Sequence, residues 1–358
     1  MIARKNPSTG KWDAQYSYTD WQGKRKKTTK RGFRTKREAV EWYDHFRATQ
    51  GADFNMVFKD FIEIYMEDQS HRLRQHTMMN KRFLFDKHII PYFGNKKVNA
   101  IKAPDIRAWQ NKLMATGLKP TYLKTINNQL NAVFNYAVKY YDLKENPCRK
   151  AGSMGKSKAE EMHIWTREEF TQFLNAIIDK KPSYIAFEVL FWTGLRLGEL
   201  LAMTPADIDF DKRTLRVNKS YQRLKGEDVV TPPKTPKSIR TISIPKFLAA
   251  DLMDYINSNY GMEESDRLFP YTKYFFEHEL KRGIKPTGLH KIRVHDTRHS
   301  HAAHLIHMGA SPLQIRDRLG HEDIKTTLNT YGHLYPNTDQ KMAEQLESEY
   351  REEMRRVD

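Results

Sequence analysis

Four separated motifs in the last half of the chain hold residue types that could transfer a phosphoryl group. They are Arg196 in Thr193-Gly194-Leu195-Arg196-Leu197-Gly198-Glu199, His295 and Arg298 in His295-Asp296-Thr297-Arg298-His299, His321 in Leu319-Gly320-His321, and Tyr331 in Thr330-Tyr331-Gly332. Breaking a phosphodiester without a metal requires a nucleophile, cations around the nonbridging oxygens and an acid for the leaving oxygen. Arginine suits the cationic part, because its planar fork holds two oxygens and stays charged. Each motif also has an ordinary reading. Arg196 could be a surface partner of Glu199 at i, i+3. His295 and His299 at i, i+4, with His301, His304 and His307, match a metal-ligand spacing, but His-Glu-x-x-His is missing and Cys148 is the one cysteine. Tyr335, four residues after Tyr331, is a second tyrosine to be told apart from it.

The elements that must position these residues are legible in part. Thr166 and Glu169 form a capping box, and the apolar stretch from Tyr184 to Met203 reads as a core helix pair broken at Thr193-Gly194. Strand-like runs at Thr214 to Val217 and Ile239 to Ile244 flank the loop Thr231-Pro232-Pro233-Lys234-Thr235-Pro236. Helices are expected near 274 to 282, 297 to 308, 312 to 318 and 324 to 331. Asp296 is the expected N-cap of the second of these, which would place His295 and Arg298 at a helix end that favours an anion. Met342, Leu346 and Tyr350 have helical spacing and suggest a tail helix able to dock on a neighbouring copy.

Upstream the pattern changes twice. Residues 1–50 hold thirteen Lys or Arg against five Asp or Glu, a net +8. Trp12, Ala14, Tyr16 and Tyr18 alternate as in a half-buried strand, and Asp20-Trp21-Gln22-Gly23 offers a turn into the basic run Lys24 to Thr29. A capping box at Thr35 and Glu38 opens a helix with Ala39, Val40, Tyr43 and Phe46 on one face. From Phe54 to about Asn146 the period is helical, as in Phe58, Phe61, Ile62 and Tyr65 and again in Tyr122, Ile126, Leu130, Val133, Phe134 and Ala137. Pro91-Tyr92-Phe93-Gly94 punctuates this block, and residues 149–163 read as an exposed linker. The fold class expected is therefore α+β and multidomain, with a small N-terminal β-sheet plus helix at 1–50, an all-α domain at 54–148, and from 164 to 358 a mainly α-helical domain with a small antiparallel sheet.

With 358 residues, 61 Lys or Arg and 44 Asp or Glu, the net charge is +17, so the favoured partner is a polyanion. The pI near 9.6 agrees with this, and the mean hydropathy of −0.77 together with the lack of an 18-residue apolar run disfavours a membrane span. The N-terminus shows no apolar secretory segment, and a single cysteine is consistent with a reducing compartment.

The runs TGLRLGELL, HDTRHSHAAHL and LGHEDIKTTLNTY, in the order Arg, Lys, His-x-x-Arg, His, Tyr, resemble the signature of the tyrosine recombinases, the family that includes phage and conjugative-transposon integrases. The match spans roughly residues 164 to 335. The helical block resembles the family's core-binding domain and the basic sheet its arm-type DNA-binding domain. The resemblance implies a site-specific recombinase that integrates and excises a mobile element through a 3′-phosphotyrosyl intermediate and a Holliday junction. Arg196 and Arg298 would clamp the phosphate, Lys234 would be the acid for the 5′ oxygen, His295 and His321 would handle hydrogen bonds and protons, and Tyr331 would be the nucleophile. Lys225 and Lys237 share the stretch of Lys234, and the Pro-Lys-Thr context favours Lys234. A phenol needs local cations to be activated, and its ester keeps the backbone energy for religation. The implied partners are double-stranded DNA at core and arm sites, further copies of the chain in a homotetramer, an excisionase and a host DNA-bending factor. No cofactor or metal is implied, and the place of action would be the bacterial cytoplasm at the nucleoid. The alternatives are a type IB topoisomerase-like relaxing enzyme and a non-catalytic DNA-binding regulator.

Overall fold

A computed structural model of the chain describes residues 3–19, 25–50, 56–156, 162–233, 235–335, 343–344 and 346–350. The chain divides into two compact units, residues 1–160 and 161–358.

The first unit opens with an antiparallel sheet, order β1-β2-β3, of β1 (Ala3–Lys5), β2 (Trp12–Thr19) and β3 (Arg25–Phe33), followed by α1 (Lys36–Gln50). Strand alternation buries Ala14 and Tyr16, Ala14 in a small cluster with Ala3 and Ala39, while Gln15 and Ser17 stay exposed. Lys27 pairs with Ser17 and Thr29 with Gln15, so Lys27 lies on the solvent face. The Thr35 hydroxyl accepts from the Glu38 N–H at 3.2 Å, and the Glu38 carboxylate reaches back to the Arg34 N–H at 3.0 Å. The turn at 20–23 and the Phe46 side chain lie outside the described residues.

Among the described residues six α-helices follow, α2 (Phe58–Ser70), α3 (Gln75–Leu84), α4 (Ile90–Phe93), α5 (Ala103–Met114), α6 (Pro120–Tyr140) and α7 (Pro147–Ala151). Their periodic apolar faces form one core, in which Phe58, Phe61, Ile62, Ile106, Ile126, Leu130, Val133, Phe134 and Ala137 are fully buried. Two expectations change. Pro91 sits inside a helical run: a π-helical turn at Phe85–Ile89 precedes α4, so the missing proline N–H falls in that helix's first turn. The linker expected at 149–163 begins later, because Cys148, Ala151 and Met154 are buried in this core. Asn146 caps α7 by accepting from the Cys148 N–H at 2.8 Å, and its amide donates to the Asn131 and Asn135 side chains at 2.8 Å each.

The second unit contains α8 (Arg167–Asn175), α9 (Lys181–Thr193), α10 (Leu197–Ala202), α11 (Lys246–Asn257), α12 (Lys273–Thr287), α13 (Asp296–His307), α14 (Pro312–Leu319) and α15 (Ile324–Tyr331). A three-stranded antiparallel sheet, order β4-β5-β8, joins β4 (Ile208–Asp209), β5 (Thr214–Val217) and β8 (Arg240–Ser243). The expected strands at 214–217 and 239–244 are β5 and β8. The hairpin of β6 (Ser220–Leu224) and β7 (Glu227–Thr231) was not expected. Its two-residue turn, Lys225-Gly226, has φ of +51° and +89°, the primed geometry that suits strand twist and that Lys-Gly signals less clearly than Asn-Gly. The Thr166 capping box forms as read, with Glu169 N–H to Thr166 Oγ1 at 3.2 Å and Thr166 N–H to Glu169 Oε2 at 2.8 Å. The fold is thus mostly helical with small antiparallel sheets. No helix among the described residues is long and apolar enough to cross a membrane.

Candidate active site

The break between α9 and α10 is made by Gly194, which ends α9 in the left-handed region at φ +67°. A side chain is excluded there: a Cβ would lie 2.6 Å from His301 Cδ2 and 2.7 Å from Leu319 Cδ2. The turn delivers Arg196 to the start of α10, where its guanidinium donates to Glu199 Oε1 at 2.8 Å. This is the i, i+3 pair of the ordinary reading, but Glu199 is 6% exposed and not a surface residue. It also accepts from Arg240 Nη1 at 3.2 Å and Nη2 at 2.9 Å, and from the Arg196 N–H at 3.0 Å. Burial would push this carboxyl up, but the Arg240 and Arg196 charges and hydrogen bonds outweigh it and bring it down to about 2.

Arg298 joins the motifs together. It is 2% exposed, and it donates from Nη1 to the Gly194 carbonyl and from Nη2 to the Leu319 carbonyl, each at 2.7 Å. One carbonyl stands two residues before Arg196 and the other two before His321, so a single fork staples both turns. Burial and the neighbouring Arg196 lower the Arg298 pKa to about 9. A phosphate beside this buried arginine would favour its charged form and offset the repulsion from Arg196. Asp296 is not the N-cap expected: His295 occupies that position, and Asp296, inside α13, accepts from the Arg293 N–H at 2.7 Å and from its guanidinium at 2.8 Å.

His295 keeps an exposed face, and its imidazole is pushed down to about 4, first by desolvation and then by His299 and Arg298. His321 Nδ1 shares a hydrogen bond with Thr327 Oγ1 at 2.9 Å, and desolvation with Arg298 and Arg196 brings it to about 4 also. Both rings are therefore neutral at pH 7 and available as hydrogen-bond partners. Tyr331, at the end of α15, is 1% exposed. Its ring lies parallel to that of His321, centroids 6.5 Å apart. Its hydroxyl is hydrogen-bonded to His299 Nδ1 at 2.8 Å. Burial pushes the phenol up to about 12, against the opposing pull of Arg298 and Arg196. Tyr335 packs against the cluster that Tyr331 forms with Ala302, Ile306, Ile315 and Leu319, and its hydroxyl donates to the Ala310 carbonyl at 3.2 Å.

The structure thus brings together Arg196, His295, Arg298, His321 and Tyr331. Lys234 lies outside the described residues. Of its neighbours in sequence, Lys225 sits in the β6–β7 turn, and Lys237 donates to the Glu322 carbonyl at 3.1 Å, next to His321. Sequence reasoning missed Arg240, the buried counterion role of Glu199, and the contact of His299 with Tyr331. The i, i+4 spacing of His295 and His299 was the available signal for the last, and it was weighed as a metal spacing.

The phage integrase family matches residues 164–338, its N-terminal SAM-like domain residues 57–114, and an arm DNA-binding domain residues 2–49. The ICEBs1 integrase of Bacillus subtilis (strain 168) is 34% identical, covering 82% of this chain and 83% of its own. The integrase of Mycobacterium phage L5 is 31% identical over 66% of this chain and 65% of its own. Among solved structures, the Tn1549 transposon integrase in complex with transposon right end DNA superposes with a TM-score of 0.69 at 22% identity, covering 81% of this chain and 98% of that one. A lambda integrase dimer bound to a core site gives 0.60 at 18% identity, over 92% and 94%. The chain belongs to the phage integrase family of tyrosine recombinases, enzymes that break and rejoin DNA strands at specific sites.

Proposed function

We propose that this recombinase integrates and excises a mobile element through a 3′-phosphotyrosyl intermediate and a Holliday junction. The observation that carries the reading is Arg298, buried and stapling the Arg196 turn to the His321 turn beside Tyr331. In this reading Arg196 and Arg298 hold the nonbridging oxygens of the scissile phosphate, His295 and His321 donate or accept hydrogen bonds around it, Lys234 protonates the leaving 5′ oxygen, and Tyr331 attacks phosphorus. The phosphate offsets the burial and the Arg196 charge that depress the Arg298 pKa. Residues 1–50 bind arm-type sites and residues 54–148 grip the core, with four copies assembled on two DNA sites. An excisionase and a host DNA-bending factor set direction, and the tail from Asn337 to Asp358 docks on a neighbouring copy. The relatives support the mobile-element part: one is a phage integrase and another a transposon integrase bound to transposon DNA.

The test is a nicked suicide substrate that traps the covalent complex. Wild-type protein in EDTA should be joined to the 3′ phosphate, because the proposed stabilisation is by arginines and a lysine rather than a metal. Tyr331→Phe should bind DNA and form no adduct, and Tyr335→Phe should form it. An adduct retained by Tyr331→Phe and lost by Tyr335→Phe would overturn the nucleophile, and loss of the wild-type adduct in EDTA would overturn the metal-free mechanism.

A further inference from the structure

We infer that His299, a residue outside the Arg, Lys, His, Arg, His, Tyr series, is the catalytic base that takes the proton from Tyr331. The inference rests on the reading of Tyr331 as nucleophile. Its ground is geometric: among the described residues, the hydrogen bond to the Tyr331 hydroxyl is with His299 Nδ1, at 2.8 Å, within the range a general base needs. The helix α13 makes this contact possible, since His295 is its N-cap and Arg298 and His299 project from its first turn. His321, the other histidine beside Tyr331, is committed elsewhere. Its Nδ1 is engaged with Thr327 Oγ1 on α15 itself, and its ring is parallel to the tyrosine at 6.5 Å between centroids.

The protonation state fits the role. Desolvation, Arg298 and Arg293 lower the pKa of His299, with Asp296 opposing them. The remaining groups around it are His295, whose ring meets it edge to face at 5.1 Å between centroids, Tyr331 on α15, and His321. The ring is therefore neutral at pH 7. A neutral imidazole that accepts at Nδ1 carries its proton on Nε2. The Tyr331 phenol, held up at about 12, does not ionise by itself near neutrality, so its proton needs a receiver as the new bond forms.

The step balances without a co-reactant. As Tyr331 Oη bonds to phosphorus, the O–H pair becomes the phenolate lone pair and the proton passes to His299 Nδ1. The P–O5′ bond breaks, and O5′ takes its proton from the acid of the opposite side. In religation the 5′ hydroxyl attacks and returns its proton to the deprotonated form of that acid, the Tyr331–phosphorus bond breaks, and His299 returns the other proton to the phenol. Atoms and electrons are conserved, and no water is consumed.

The full chain on the suicide substrate tests this with two leaving groups and two variants. His299→Ala should bind DNA as wild type does and form the adduct about 10²- to 10⁴-fold more slowly. A 5′-bridging phosphorothiolate, whose thiolate leaves without an acid, should restore a variant lacking the acid but should not restore His299→Ala. The wild-type rate should be flat from about pH 7 to 9. The His299→Ala rate should climb about tenfold per pH unit, since the phenol must then ionise first. His299→Gln keeps a polar partner for Oη but accepts no proton, so it should show the same steep profile, which separates proton transfer from mere placement. Wild-type rates in both variants, rescue by the phosphorothiolate, or faster cleavage on removal of His299 would each overturn the inference; the last would mark the contact as a restraint on the nucleophile. An adduct formed by Tyr331→Phe would instead overturn the nucleophile assignment on which the inference stands.

Discussion

Glu199 and Arg240 form a buried, two-pronged ion pair, Nη1 to Oε1 at 3.2 Å and Nη2 to Oε2 at 2.9 Å, with both side chains at most 6% exposed. The same carboxylate holds Arg196. Removing one partner of such a pair strands the other charge away from water.

Glu199→Gln should therefore lower stability by about 3 to 5 kcal/mol and loosen Arg196, so that cleavage falls more than DNA binding. The Glu199 carboxyl is depressed in the folded chain to about 2. Its contribution is then full above the ordinary glutamate range and is lost as pH falls toward about 2. Urea midpoints measured from pH 6 down to pH 3 should decline in wild type and be flatter in the variant. Parallel curves would contradict this.

Glu188 should behave in the opposite way. It is 5% exposed, one of its oxygens has no hydrogen-bond partner, and burial with the nearby Asp251 carboxylate pushes it up to about 7. A carboxyl that stays protonated longer when folded contributes stability below its unfolded pKa, and that stability is lost as pH rises through about 7. Glu188→Gln should match wild type near pH 4.5 and be more stable at pH 8, by up to about 3 kcal/mol. Thermal melts at the two pH values decide it, and equal melting temperatures at pH 8 would refute it.

Arg298→Lys keeps the charge but cannot hold the Gly194 and Leu319 carbonyls together from one rigid fork. Loss of one buried charge-assisted hydrogen bond should cost about 1.5 to 3 kcal/mol. Cleavage should fall by orders of magnitude while DNA binding persists. A variant with native melting and native cleavage would return Arg298 to a passive position.

The exposed face of β3 carries Lys27 and Arg31. If both engage arm-DNA phosphates, replacing the two with Ala should weaken arm binding across sequences and reduce the slope of log K against log salt by about 2. Core binding should be spared. An unchanged slope in a salt titration would place the arm contact elsewhere.

Much of this molecule is local, and local features are what a sequence displays. The helical periods of Phe58 to Tyr65 and Ile126 to Ala137, the capping box at Thr166 and Glu169, and the strands at Thr214–Val217 and Arg240–Ser243 follow from side-chain spacing and near-neighbour hydrogen bonds. The order of Arg196, His295, Arg298, His321 and Tyr331 was equally readable, because family motifs are written in chain order. Distances between those motifs were not. Arg298 reaches carbonyls 104 and 21 residues away, Glu199 meets Arg240 across 41, and His299 meets Tyr331 across 32. Such pairings depend on how α9, α13, α14 and β8 pack, which no periodicity encodes. For the same reason Glu199 read as a surface partner and His299 as one half of a metal-ligand spacing. Burial decided both: a carboxylate closed off from water must gather cations, and a phenol closed off from water must find a nitrogen to hold its proton.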